Sequence, residues 1–184
     1  MIINNYKKKG IIIIGFLLFN LAFTITTYDL NLLDYSEEHF YKLNELIGTK
    51  LDSIEAKIYE YDSLNEFIKS TGAPFFITAF SNKQGIHIQS RYLLGDRFQS
   101  AMIHELIHFT IKMQYRVPAW YEEGLVCLIT QEFSKVTDII PMRNVEEYDI
   151  RNAENNWELI SYCLGCIEKV QNTLSSEPGK QVIP

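Results

Sequence analysis

The run DRFQSAMIHELIHFTIKMQY, residues 96–115, combines a helix-start signal, an apolar stripe and two histidines. Asp96 and Gln99 have capping-box spacing, and Phe98, Met102, Ile103, Leu106 and Ile107 recur at helical period. A helix to about Tyr115 follows. His104 and His108 stand four residues apart, so they share one helix face a turn from each other. Both imidazoles can then reach a single metal ion, and Glu105 projects beside them without having to be a ligand.

Downstream, Pro118-Ala-Trp120-Tyr121-Glu122-Glu123-Gly124-Leu125 punctuates the chain and opens a further helix from Trp120 to about Phe133. A hydrolytic zinc site needs three protein ligands and an open fourth position. Glu123, carried by the next helix through a short turn, is a sensible third ligand if the two helices pack antiparallel. Glu122 points about 100° away, so only one of the pair should face the metal.

Working upstream, Asp34–Glu37 has capping-box spacing ahead of a helix bearing Phe40, Leu43, Leu46 and Ile47. Ile54, Ala56 and Ile58 alternate as in a strand. Ser63 and Glu66 begin a short helix that Gly72 closes, Pro74–Phe80 and Ile86–Ser90 are strands, and Ser81–Gly85 is the turn between them. Thr137–Asn144 is irregular or a short strand, and a last helix runs from Asn155 to about Leu174. The expected class is α+β: mixed strands first, then the helices that bear the chemistry.

Residues 1–28 read differently. Lys7, Lys8 and Lys9 precede IIIIGFLLFNLAFTIT, residues 11–26, an apolar run without a charge. Such a pairing marks a signal peptide or an uncleaved signal-anchor, with the lysines cytoplasmic and residues 29–184 outside as one domain. The chain has 17 Lys and Arg against 23 Asp and Glu, a net charge of -6, which argues against a nucleic-acid partner. Cys127, Cys163 and Cys166 allow at most one internal disulfide. The Cys163–Cys166 spacing lies within a helical segment with no preceding strand, so packing is the better account of it than redox catalysis.

Other residues invite plainer readings. His87, between Ile86 and Ile88, reads as a solvent-facing strand residue, with contact to a substrate as the alternative. Glu146, Glu147 and Asp149 read as a solvated acidic loop.

HELIH followed by PAWYEEGLV resembles the gluzincin clan of zinc metallopeptidases, in particular its small peptidase-MA-like domains, over about residues 50–175. The resemblance implies a zincin-like domain in which one zinc ion is held by His104, His108 and Glu123. It leaves Glu122 as a non-ligand. Glu105 is then the general base: it takes the proton from a water whose pKa the zinc lowers from ~15.7 toward ~7, and passes it to the leaving amine. Tyr162, on the last helix, is a candidate oxyanion donor. Val126 stands where the family has a small residue. Cys127 stands where thermolysin-like members have an Asp that supports a metal histidine, so that support must come from elsewhere. No Gly-x-Met-x-Asn signature is present, so aminopeptidase specificity is not implied.

The expected function is hydrolysis of peptide bonds in an extracytoplasmic peptide or protein, with the membrane engaged through the N-terminal segment. A rival from another class is an exported zinc-binding module that uses the same scaffold for protein interaction without turnover. A third reading makes HELIH accidental in a plain anchored domain. The oligomeric state is not legible in the sequence.

Overall fold

The computed structural model describes residues 25–27, 36–48 and 56–176. Its elements are β1 (Ile25–Thr27), α1 (Ser36–Ile47), β2 (Lys57–Tyr61), α2 (Leu64–Thr71), β3 (Ala79–Asn82), β4 (Gly85–Gln89), α3 (Arg91–Leu94), α4 (Arg97–Gln114), α5 (Ala119–Thr130) and α6 (Asn156–Ser176). A 3-10 turn, Ile150–Asn152, lies between α5 and α6. The class is α+β, as the sequence implies.

The sheet has the order β1-β2-β4-β3. β2 and β4 are parallel, with Ile58 beside Ile86 and Glu60 beside Ile88. β3 joins β4 as an antiparallel hairpin, and β1 adds antiparallel to β2. Parallel neighbours need a crossover, and α2 supplies it. That helix starts as its sequence dictates, with Ser63 Oγ accepting the Glu66 N–H at 3.2 Å. It ends at Gly72, whose φ of 70° is one that few other residues adopt easily.

Ile58, Ile86 and Ile88 are fully buried and belong to one core with Phe98, Met102, Leu106 and Ile107 of α4 and Tyr121 and Leu125 of α5. A second apolar cluster joins Cys127 to Val145, Tyr162, Cys163 and Cys166, between α5 and α6. Burying a large aliphatic or aromatic side chain contributes roughly 1.5–3 kcal/mol, so these two clusters fix where the three long helices lie.

Several boundaries differ from expectation. Only Ala79–Asn82 of the hairpin's first arm is strand; Pro74–Thr78 approaches as a turn, with the Ile77 N–H donating to the Pro74 carbonyl at 3.0 Å. Asp96 is helical (φ -62°, ψ -20°) and makes no cap, because α3 and Gly95 already bring the chain into helical geometry. α5 stops at Thr130 rather than near Phe133. His87 does not face solvent. It is buried, with its ring stacked between Phe80 at 4.8 Å and Tyr59 at 4.7 Å and its Nδ1 2.8 Å from the Tyr61 hydroxyl. The alternation placed it opposite Ile86 and Ile88 correctly, but aromatic side chains cover that face too.

Residues 1–24 lie outside the described residues, as does the Asp34 end of the first capping box, while Ile25–Thr27 is sheet. Among the described residues no helix is long and apolar enough to cross a membrane.

Candidate metal centre

His104 and His108 project from the middle of α4, and Glu122 and Glu123 from the first turns of α5. The Pro118 carbonyl accepts the Tyr121 and Glu122 N–H groups at 3.0 Å, which starts α5 and sets the direction of its first carboxylates. The helices run antiparallel. His104 reaches Glu132, just past the end of α5, whereas Lys112, two turns further along α4, reaches Glu122.

Three groups converge. His104 Nε2 and His108 Nε2 are 3.1 Å apart. Glu123 Oε2 is 3.2 Å from His108 Nε2, and its Oε1 is 3.9 Å from His104 Nε2. Ligand atoms about 2.0–2.1 Å from a tetrahedral zinc lie roughly 3.3 Å from one another. The observed separations lie on either side of that figure, though through different oxygens of Glu123, so the three residues could hold such an ion after a small adjustment. Both histidines present Nε2 to the same point because each Nδ1 is held from behind.

What holds them was not read from the sequence. Glu122 Oε1 lies 2.6 Å from His108 Nδ1 and 3.1 Å from Lys112 Nζ. Glu132 Oε2 lies 2.6 Å from His104 Nδ1, close enough for an ion pair though not aligned as a hydrogen bond. A carboxylate behind a ligating imidazole fixes its tautomer and raises its basicity. Glu122 could therefore supply to His108 the support that Cys127 cannot, and the 100° offset from Glu123 is what makes this possible. The two carboxylates grip opposite nitrogens of one ring. Lys112, one turn beyond His108, has a further anchor, donating to the Ser81 carbonyl at 3.0 Å.

Glu132 arrives by an unusual backbone. The residues on either side of it, Gln131 (φ 57°) and Phe133 (φ 61°), adopt left-handed conformations that cost non-glycine residues roughly 1–2 kcal/mol each. Neither is a glycine or asparagine, so nothing in the sequence announced the turn. It explains why the helix ends early.

Glu123 Oε1 also accepts from two thiols, Cys163 Sγ at 3.3 Å and Cys127 Sγ at 3.5 Å. Electrostatics reflect this crowding. Burial opposes it, but hydrogen bonds and charge from His108, with His104, hold Glu123 well below the usual carboxylate range. Burial likewise disfavours charge on His108, yet Glu122 and Glu123 push it up to about 10. His104 moves upward against burial because of Glu132.

Glu105 lines the same cavity of about 630 Å³. It is largely buried, and among the described residues no hydrogen bond or ion pair engages its carboxylate. Tyr162 and Cys163 border this cavity as well. The Tyr162 hydroxyl is pushed up by burial and by its neighbours Cys166 and Glu123, and the ring is 1% exposed, packed 5.3 Å from Tyr148. Away from the site, two residues of the acidic loop have local ion-pair partners, Glu146 with Lys169 and Asp149 with Arg151.

No protein-family model matches the chain, and no curated protein or solved structure matches it either.

Proposed function

We propose that the chain is a zinc-dependent metallopeptidase of gluzincin type, membrane-anchored or secreted, that hydrolyses peptide bonds outside the cytoplasm. The observation that carries this reading is the convergence of His104 Nε2, His108 Nε2 and Glu123 on one point, with Glu132 and Glu122 behind the two rings and Glu105 uncommitted beside them. A binding module has no need of an uncommitted carboxylate in a cavity next to its ion. Zinc bound by the three ligands supplies Lewis acidity toward a carbonyl oxygen and acidifies a water.

The chain's own residues account for the rest. Glu105 accepts the proton of the attacking water and returns it to the leaving amine. β3 offers the substrate a place to lie. Thr78 O accepts from Gln89 N at 3.0 Å, so by antiparallel alternation residues 78, 80 and 82 bond to β4 while 79 and 81 turn their backbone groups outward. The Ser81 carbonyl is taken by Lys112, which leaves the N–H and C=O of Ala79 on the edge that borders the cavity. An extended peptide can add to such an edge. The basic segment Lys7–Lys9 and the apolar run 11–26 support the extracytoplasmic placement.

Glu105→Gln tests the reading against the non-catalytic rival. The variant should keep about one zinc per chain and lose cleavage of a peptide library. Persisting cleavage sinks the mechanism, and absence of zinc from the unmodified protein after desalting sinks the site.

A further inference from the structure

α5 packs tightly against α6 at Gly124, where a Cβ would stand 2.5 Å from the Cys166 carbonyl oxygen. The helices are antiparallel there, since Lys169 near the end of α6 sits over Trp120 near the start of α5, at 4.7 Å. One turn from the glycine contact on each helix, Cys127 and Cys163 face each other. Their sulfurs lie within 4.8 Å of one another. Both thiols are buried, and Cys163 borders the cavity. Two sulfurs this close on facing helices are the kind of pair a disulfide can join. Cys166, the other half of the Cys-x-x-Cys spacing, turns instead to Tyr162.

We propose that Cys127 and Cys163 form a reversible disulfide, and that closing it withdraws both S–H donors from Glu123 and loosens its hold on zinc. The second clause rests on reading Glu123 as a zinc ligand; the first does not. The oxidant is a small-molecule disulfide admitted through the cavity. The Cys163 sulfur, giving up its proton, attacks one of the reagent's sulfurs, the reagent's S–S bond breaks, and half of it leaves carrying that proton as a thiol. Cys127 then attacks the Cys163 sulfur of the mixed disulfide and displaces the other half. The protein pair loses two electrons and two protons, and the small disulfide gains both to become two thiols.

The test uses the purified full-length chain, reduced and then exposed to oxidised glutathione. Free thiols are alkylated, non-reduced peptides are mapped by mass spectrometry, and zinc affinity is measured by competition with a chromophoric chelator. The expected map joins Cys127 to Cys163 and leaves Cys166 alkylated. Zinc affinity should fall about 10–100-fold on oxidation, the usual scale for losing support behind a metal ligand, and return on treatment with a phosphine reductant. Cys127→Ser should neither cross-link nor respond. A bond between Cys163 and Cys166, glutathione left on Cys163, or no reaction overturns the disulfide. A Cys127–Cys163 bond with unchanged zinc affinity overturns its coupling to Glu123. If neither form binds zinc, the metal reading and the coupling fall together, and the peptide map alone decides the disulfide.

Discussion

A methyl group on Gly124 probes the packing that stands behind Glu123. In Gly124→Ala the new carbon would meet the Cys166 carbonyl oxygen at 2.5 Å, Val170 Cγ2 at 2.6 Å and the Cys166 carbonyl carbon at 2.7 Å. Carbon–oxygen contacts settle at roughly 3.3 Å, so α6 has to retreat by roughly 0.8 Å. Two of the three obstacles are backbone, and no rotamer change relieves them. Overpacking costs ~1–3 kcal/mol, and an unyielding backbone puts this site at the top of that range. Alanine's better helix propensity returns ~1 kcal/mol. The net loss of about 2 kcal/mol should lower the thermal midpoint by roughly 4–8 °C in a chain of this size. The same retreat draws Cys163 away from Glu123, so zinc affinity should fall about 10-fold. Thermal unfolding followed by circular dichroism, with and without zinc, reads both effects. A midpoint that stays put or rises, as helix propensity alone would give, refutes the close approach.

Other substitutions separate the roles of the charged groups. Glu105→Gln should lower kcat by about 10²–10⁴-fold while zinc content stays near that of the unmodified protein; a proportional loss of zinc would make Glu105 a structural residue. Glu122→Ala should weaken zinc about 10–100-fold, read by chelator competition, because His108 Nδ1 loses its partner and Lys112 its counter-charge; unchanged affinity would assign the orienting role elsewhere. Burial lowers His87 below its usual 6.5, so the folded state binds fewer protons there than the unfolded chain. Its contribution is therefore intact above pH 6.5 and drains away as pH falls below it, and denaturant midpoints should fall less steeply with acid in His87→Phe. Equal slopes would show that the ring is not held neutral.

The fold was legible wherever a residue's neighbours in sequence determine its conformation. Ser63, Glu66 and Gly72 bound α2 as capping chemistry requires, and the histidine spacing put both imidazoles on one face of α4. Asp96 failed as a cap because α3 had already turned the chain, a fact that depends on how Leu94 and Phe98 pack and not on the local pattern. The three converging residues were legible for the same reason: two are a helical turn apart and the third follows a short connection. Glu122 was seen but left without a role, since helical projection gives its angle from Glu123 and not the width of the ring the two enclose. Glu132 and Lys112 could not have been found. One depends on a left-handed turn at Gln131 and Phe133, residues that do not advertise it, and the other on the meeting of α4, α5 and β3.

The arrangement of charge supports the proposed cation between these histidines. Glu122, Glu123 and Glu132 surround two imidazoles, with Glu105 alongside and Lys112 the one cation paired into the group among the described residues. Glu132 is half exposed, but holding the other carboxylates out of water is costly unless something positive joins them. Protonating both rings would supply charge, but the nitrogens that remain to be protonated are the two Nε2 atoms, 3.1 Å apart. Glu123 can accept from His108 Nε2 at 3.2 Å, but two N–H groups pointed at each other across the gap between the rings repel. A divalent ion held by His104, His108 and Glu123 would take lone pairs from all three, leave His108 Nδ1–H to donate to Glu122 and His104 Nδ1 beside Glu132, and offset two negative charges at once. The rings already point the way such an ion would need, and Glu105 lies in the same cavity with no hydrogen bond or ion pair among the described residues.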